Sequence, residues 1–184
     1  MGRYRARDLV NGPTLVSWLR VPLAAAFPLA AGSPWASVGV LAAAGVSDVL
    51  DGWLARRSSL ATPAGAVVDG VTDKLFAGAV LATLVARGDL ALGEVALLGA
   101  RELGELPLVL WVLASPAARQ RKLDDRANVL GKLATTLQFA TVFAVLVGAS
   151  RARGLGLWAT AVVGLAAAAS YWARALGARR RERR

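Results

Sequence analysis

Four aspartates stand in or beside apolar stretches of the chain, and their spacing sorts them into two pairs. Asp48 and Asp51 are three residues apart, and Asp69 and Asp73 are four apart. On a helix, either spacing places both carboxylates on one face. An ionised carboxylate at membrane depth is costly unless something compensates its charge. These four residues, the aspartate quartet, therefore predict a site for divalent metal at the edge of a helical membrane bundle.

The composition restricts which metal this can be. The chain contains no Cys and no His. Disulfides, thiolate or imidazole ligands and histidine acid–base catalysis are thereby excluded. A metal held here must be a hard ion that prefers oxygen, which means Mg²⁺, Mn²⁺ or Ca²⁺. One or two such ions would stabilise carboxylates that otherwise repel one another.

The residues between the two pairs suit a phosphate-bearing substrate. Gly52 follows Asp51 directly, and Gly65 lies four residues before Asp69. A residue without Cβ lets a ligand or another helix approach closely. Arg56 and Arg57 offer guanidinium groups, which match phosphate oxygens in geometry and charge.

The elements that must position the quartet are membrane helices. The chain has 184 residues, of which 56% are hydrophobic, and its mean hydropathy of +0.50 is typical of a polytopic membrane protein. We therefore predict an all-α integral membrane protein with six transmembrane helices. Each apolar run is near the roughly 20 residues that a bilayer requires. The runs cover residues 13–31, 36–54, 65–86, 90–114, 129–147 and 155–176.

The organisation expected from these runs is one membrane domain with basic ends. Residues 1–12 form a basic juxtamembrane segment, either a short surface helix or a frayed tail. Residues 13–176 form the six-helix catalytic domain, whose first run is a retained helix rather than a cleaved signal peptide. Residues 177–184 form a basic cytoplasmic tail. The net charge of +10 is clustered between apolar runs, so it predicts contact with anionic lipid headgroups and not with nucleic acid.

The basic residues also predict the orientation in the cytoplasmic membrane. The positive-inside rule places both termini, and the ends of the helices that carry the quartet, on the cytoplasmic side. The short connection between the second and third runs predicts that their helices are neighbours. The opposite side holds only Arg87, Arg151 and Arg153. The cytoplasmic side holds Arg3, Arg5, Arg7, Arg56, Arg57, Arg119, Arg121, Lys122, Arg126, Arg179, Arg180, Arg181, Arg183 and Arg184.

Three further cations interrupt apolar runs. Arg101 and Lys132 are candidates for binding a phosphorylated acceptor, because a cation in such a run should face a polar cavity. A purely structural role is equally consistent, with Arg101 paired to Glu102 or Glu105 and Lys132 paired to Asp124 or Asp125. Arg20, in the first run, either has a functional role or extends its charged end to the membrane surface.

Residues 48–73 resemble a known family. They fill every fixed position of the CDP-alcohol phosphotransferase signature: Asp, two residues, Asp-Gly, two residues, Ala-Arg, eight residues, Gly, three residues, Asp, three residues, Asp. The chain has only eight Asp in all, so four of them in register carry most of the specificity.

Segments outside the signature are similar to those of bacterial phosphatidylglycerophosphate synthases. They are Asn11-Gly12-Pro13-Thr14-Leu15 followed by Arg20, Asp73-Lys74, Ala100-Arg101-Glu102, and Gly131-Lys132-Leu133-Ala134-Thr135-Thr136-Leu137-Gln138. Two positions depart from that subfamily. Gly70 stands where it usually has Pro, and Thr72 stands where Ala is common; Gly70 bears on the choice of acceptor more than on the chemistry.

The resemblance implies an enzyme of phospholipid synthesis. Such an enzyme transfers the phosphatidyl group of CDP-diacylglycerol to an alcohol and releases CMP, with Mg²⁺ or Mn²⁺ as cofactor and two ions expected. Asp48, Asp51 and Asp69 would chiefly be metal ligands, and Asp73 would complete the metal site and act as general base, so that Asp69 and Asp73 are the expected catalytic residues. Homodimers are common in the family. The residues implied to bind the CDP portion are Gly52, Arg56 and Gly65.

The remaining interpretations within this family differ in the alcohol that accepts the phosphatidyl group. The leading acceptor is sn-glycerol 3-phosphate, since Arg101 and Lys132 could bind an anion. The alternative is phosphatidylglycerol, which would make the protein a cardiolipin synthase; inositol phosphate or serine come third. Outside this class, intramembrane aspartates also line cation pathways, so a divalent-cation transporter is an alternative. A membrane scaffold without turnover is another.

Overall fold

The computed structural model describes residues 12–58, 62–114 and 129–182, and every regular element in these ranges is an α-helix. The all-α prediction is confirmed for this part of the chain. Within it, the side chains of residues 13, 55–56, 58, 63, 112–113 and 176–182 are not described. Most of the predicted segment 1–12, the basic stretch 115–128 and residues 183–184 of the tail lie outside these ranges.

The chain forms two compact units, Met1–Leu90 and Ala91–Arg184. Whether they belong to the single catalytic domain predicted above stays a prediction. In the described part of the first unit the helices are α1 (Gly12–Trp18), α2 (Arg20–Ala30), α3 (Pro34–Ser58) and α4 (Pro63–Ala86). In the described part of the second unit they are α5 (Leu92–Leu98), α6 (Ala100–Ala114), α7 (Val129–Leu146) and α8 (Ser150–Glu182).

In the first unit, α1 and α2 each pack against both α3 and α4. The buried rings of Phe27 on α2 and Phe76 on α4 meet edge to face, with centroids 6.3 Å apart. Among the described residues, α3 and α4 pack more extensively against α1 and α2 than against each other. The helices of runs two and three still come close enough at their aspartates to bring oxygens of Asp48, Asp51 and Asp69 within 4.8 Å of one another.

The start and end of α4 are fixed by local sequence. Thr62 precedes the helix in extended conformation, and its hydroxyl accepts a hydrogen bond from the Gly65 N–H at 3.1 Å. Pro63 at the first helical position has no N–H to satisfy. At the other end Gly88 has φ of 77°, a left-handed conformation that glycine adopts without strain. The register of Asp69 and Asp73 follows from this start.

In the second unit, α8 packs against α5, α6 and α7. Small residues allow close approach, since a Cβ built on Gly104 of α6 would lie 2.8 Å from the Ala168 Cβ of α8. The indole N–H of Trp172 donates to the Gly104 carbonyl at 2.9 Å. A buried polar contact joins α7 to α8, where the hydroxyls of Thr141 and Thr160 are 3.2 Å apart.

Three helical segments are long and apolar enough to cross a membrane by length and composition: Pro34–Leu54, Val129–Leu146 and Ser150–Ala175. The other three predicted runs are not among these segments. Two of them are divided by turns, at Leu19 between α1 and α2 and at Gly99 between α5 and α6. The third, α4, has 24 residues but carries Asp69, Asp73 and Lys74. The structure thus fits an all-α membrane protein, while six spans remain a prediction.

Both turns keep their backbone hydrogen bonds. The Leu19 N–H bonds the Val16 carbonyl at 3.1 Å, and the Gly99 N–H bonds the Val95 carbonyl at 2.8 Å. Backbone polar groups must be satisfied at membrane depth. Each divided run can therefore serve as one kinked span.

Candidate active site

The aspartate quartet converges on a single side chain, the guanidinium of Arg20. Its Nη2 donates to Asp48 Oδ1 at 2.7 Å and to Asp51 Oδ2 at 3.0 Å. Its Nη1 donates to Asp69 Oδ1 at 2.5 Å, and its Nε lies 4.0 Å from Asp73 Oδ1. The two pairs predicted from the spacing are thus brought together from α3 and α4, with a cation from the first residue of α2 among them.

This arrangement is buried at its centre and open at its edge. The Arg20 side chain is 1% exposed and Asp51 is 7% exposed. The side chains of Asp48, Asp69 and Asp73 are 55%, 44% and 58% exposed. The buried guanidinium offsets the charge of carboxylates that would otherwise repel one another at close range. The open carboxylates leave oxygens that a substrate or an ion can reach from outside.

A hydroxyl from α1 completes the polar centre. Ser17 donates to Asp51 Oδ2 at 2.9 Å and reaches Asp69 Oδ1 at 3.5 Å. Ser17 was not predicted from the sequence. Thr14, Ser17 and Arg20 are spaced by three residues, so a polar stripe through an apolar run was the signal that could have identified it.

The donor set fits a hard divalent ion. One carboxylate oxygen from each of Asp48, Asp51 and Asp69 lies within 4.8 Å of the others. All three are hard oxygen donors, as Mg²⁺ and Mn²⁺ prefer. Asp73 is not one of these three, but its Oδ1 lies 4.0 Å from Arg20 Nε at the edge of the same centre. Three of the four residues proposed as ligands are therefore near enough to share an ion, and the Arg20 guanidinium contacts the same three carboxylates.

The residues expected to hold the CDP portion have different surroundings. Gly52 follows Asp51 on α3 and is partly exposed. Gly65 lies in the first turn of α4, where an added Cβ would be 3.0 Å from Thr14 Oγ1 and 3.2 Å from Thr62 Oγ1. In this structure its missing side chain lets α1 approach α4. Arg56 is in α3, and its side chain is outside the described part of the chain.

Arg101, the first acceptor candidate, is engaged by groups of its own unit. Its Nε donates to Glu105 Oε1 at 3.0 Å, an i,i+4 ion pair on α6. Its Nη1 donates to Thr135 Oγ1 at 3.0 Å and to the Gly131 carbonyl at 3.3 Å. The predicted structural partner is thus Glu105. These bonds also place the guanidinium beside the start of α7.

Lys132, the second candidate, follows Gly131 directly, so both acceptor candidates belong to one neighbourhood. Its side chain is exposed, and the aspartates suggested as partners, Asp124 and Asp125, lie outside the described ranges. Gln138, six residues further along α7, donates to the Leu98 carbonyl at 2.8 Å and to Glu102 Oε2 at 3.1 Å. The segments similar to the synthases therefore contact each other within the second unit.

Comparison with known sequences identifies relatives along most of the chain. Residues 9–172 match a family described as CDP-alcohol phosphatidyltransferase. The CDP-diacylglycerol–glycerol-3-phosphate 3-phosphatidyltransferase of Pectobacterium atrosepticum is 32% identical over 88% of this chain and 90% of its own length. The probable phosphatidylglycerophosphate synthase of Mycobacterium tuberculosis is 33% identical over 77% of this chain and 66% of its own.

A relative with another activity in its name matches a shorter region. The cardiolipin synthase (CMP-forming) of Oryza sativa subsp. japonica is 42% identical over 39% of this chain. The match spans only 24% of the rice protein. Because relatives with both names match this chain, their names do not determine which alcohol is the acceptor.

Proposed function

We propose that this chain, which belongs to the CDP-alcohol phosphatidyltransferase family, transfers the phosphatidyl group of CDP-diacylglycerol to sn-glycerol 3-phosphate and releases CMP. One observation carries the proposal. The four aspartates of the signature, which are 25 positions apart from first to last, meet around one centre on α3 and α4. A chance spacing match would not require that convergence.

Within the proposal, the quartet holds Mg²⁺ or Mn²⁺ through its carboxylate oxygens. Bound there, the metal would supply positive charge to phosphoryl oxygens on which negative charge develops during transfer. Four carboxylates and the Arg20 guanidinium leave a net charge of three minus. Two divalent ions would make this centre positive and attractive to a diphosphate, whereas one would leave it negative, which supports a two-ion cofactor.

Asp73 suits the role of general base. It lies farthest from Arg20, at 4.0 Å, and its side chain is 58% exposed. An oxygen that is not committed to a close ion pair can accept the proton of an incoming hydroxyl. Asp48, Asp51 and Asp69 are bound more tightly and serve as ligands. Gly52, Arg56 and Gly65 border the CDP portion of the donor in this proposal.

The acceptor assignment rests on Arg101 and Lys132. A phosphorylated alcohol needs cationic side chains to bind its phosphate, and these two lie in one neighbourhood of the second unit. Relatives named for glycerol-3-phosphate transfer cover most of the chain. The alternative acceptor is phosphatidylglycerol, favoured by the relatives named cardiolipin synthase. We propose glycerol 3-phosphate because its dianionic phosphate matches a pair of cations better.

The membrane setting is proposed on the sequence pattern. Six spans, a single catalytic domain over residues 13–176 and an active site facing the cytoplasm follow from the apolar runs and the distribution of Arg and Lys. A homodimer is proposed because members of the family are commonly homodimers. The divalent-cation transporter is less well supported, because a transport path would not require Ser17 and Arg20 to close the centre of the quartet.

The decisive experiment is a CMP-release screen with purified full-length protein. CDP-diacylglycerol and Mn²⁺ or Mg²⁺ are supplied with one acceptor at a time: glycerol 3-phosphate, phosphatidylglycerol, inositol phosphate or serine. We expect CMP release only with glycerol 3-phosphate, and none after chelation of the metal. Release with phosphatidylglycerol alone would replace the acceptor assignment. Mn²⁺ uptake into proteoliposomes without any CMP release would overturn the enzyme proposal.

A further inference from the structure

The proposed chemistry provides no task for Arg20. It lies in an apolar run and its side chain is 1% exposed, yet it has four acidic neighbours. A guanidinium that only reached for the membrane surface would be exposed at its charged end. The structure places it instead at the centre of the quartet. Some function of the site should therefore depend on its charge.

The guanidinium contacts the carboxylates that would hold the metal. Asp48 Oδ1, Asp51 Oδ2 and Asp69 Oδ1 accept hydrogen bonds from Arg20, and the same three residues form the metal-compatible cluster. A guanidinium and a divalent cation repel each other strongly at such separations, especially where water is excluded. Tight binding of one therefore weakens the binding of the other.

We infer that Arg20 is an internal counter-ion that competes with divalent metal for the aspartate quartet, holding the site together without metal and lowering its metal affinity. The inference rests on the proposed function only in that the quartet binds metal. It assigns Arg20 a positioning role, since it acts through the carboxylates. When metal loads, the guanidinium gives up at least part of its contacts with Asp48 and Asp69, whose carboxylates are the more exposed.

The hydrogen bonds of Ser17 provide a matched control. Ser17 contacts two of the same carboxylates, at 2.9 Å and 3.5 Å, but it carries no charge. Removing its hydroxyl tests whether any loss of a contact around the quartet changes metal affinity. Removing the charge of Arg20 tests the competition itself. Arg20→Gln and Ser17→Ala are therefore compared with the unchanged protein.

The experiment measures Mn²⁺ binding and thermal stability of the full chain in detergent, without lipid substrate. Free Mn²⁺ is quantified by electron paramagnetic resonance. Arg20→Gln is expected to lower the dissociation constant by about tenfold, because a close positive charge has been removed. Its metal-free form should melt at a lower temperature than the unchanged protein, and Mn²⁺ should raise that temperature more. Ser17→Ala should not tighten Mn²⁺ binding.

An unchanged or weaker Mn²⁺ affinity in folded Arg20→Gln would overturn the inference. If that variant does not fold, the unchanged protein is compared by structure determination with and without Mn²⁺. Departure of the guanidinium from Asp48 or Asp69 on loading supports the inference, and a guanidinium that still contacts both refutes it. A different result would contradict the proposed function. If Asp69→Asn leaves Mn²⁺ binding intact, the quartet is not the metal site, and the competition with Arg20 fails with it.

Discussion

Replacing Gly65 by alanine should lower both the stability and the turnover of this protein, because the site depends on the close approach of α1 to α4. The added Cβ would lie 3.0 Å from Thr14 Oγ1 and 3.2 Å from Thr62 Oγ1. Ordinary contacts at a Cβ begin near 3.4 Å. Thr14 and Thr62 must therefore shift, and Thr62 also caps α4 through the Gly65 N–H.

The size of the effect follows from the same distances. Overpacking a filled site costs roughly 1–3 kcal/mol, and the lower part of that range applies here because two small hydroxyl groups can move by a few tenths of an ångström. Gly78→Ala is the matched control on the same helix, since a Cβ there meets nothing within 4 Å. Its change in helix propensity should stabilise by up to about 1 kcal/mol. The two variants should therefore differ by about 2 kcal/mol.

The assay pairs thermal unfolding in detergent with CMP release at saturating and limiting donor. A difference of about 2 kcal/mol corresponds to roughly 4–8 °C in melting temperature for a chain of this size. Thr14→Ala added to Gly65→Ala should recover part of the loss, because it removes the nearest obstacle. A shift of α1 also moves Ser17, which donates to Asp51 and Asp69, so turnover should fall together with stability.

The refuting result is specific. If Gly65→Ala melts with or above Gly78→Ala, the packing argument is wrong; a raised KM for CDP-diacylglycerol would then leave only the donor role proposed for Gly65. If Thr14→Ala fails to recover any stability in the double variant, the distance to Thr14 is not the cause.

Three further predictions address the site and its surroundings. Asp73→Asn should lower CMP release by about 10²-fold or more, as expected for loss of a general base, with little change in melting temperature; near-native turnover would exclude that role. Lys132→Ala should raise the KM for glycerol 3-phosphate far more than that for CDP-diacylglycerol, measured by initial rates; equal changes would point to structure alone. Arg153→Gln removes two hydrogen bonds to Glu94, at 3.1 Å and 2.5 Å. Because both side chains are partly exposed, it should cost less than about 1 kcal/mol in thermal unfolding and leave turnover unchanged; a large loss of turnover would contradict this.

The convergence of the quartet could be predicted because helical spacing and a short connection bring the two pairs within reach. The same reasoning predicted an all-α membrane protein. The position of Arg20 could not be predicted, since an arginine in an apolar run is compatible with several orientations. In the structure α2 starts at Arg20, after the turn at Leu19, and the guanidinium lies in the acidic centre.

The packing of the first run could not be predicted from the sequence either. Sequence order suggests that the helices joined by the shortest connection should pack together, but α1 and α2 pack against both carboxylate helices. Contacts between elements that are distant in sequence depend on side-chain shape, such as the Phe27–Phe76 pair. For Arg101, the sequence left a choice between structural partners, and only coordinates distinguish Glu105 from Glu102.

The length of α8 has a consequence for the lipid environment. The candidate span Ser150–Ala175 has arginines near both ends, at Arg151, Arg153 and Arg174. The uncharged stretch between Arg153 and Arg174 has 20 residues, which at 1.5 Å per residue extend about 30 Å. That length matches the hydrocarbon core of a typical bilayer, which is about 30 Å thick. In a thicker bilayer these arginines would have to enter hydrocarbon or draw the headgroups inward. Because α5, α6 and α7 all pack on α8, a change in its depth or tilt must be accommodated by the packing of the second unit. Bilayer thickness is therefore a physical variable to which this protein should respond.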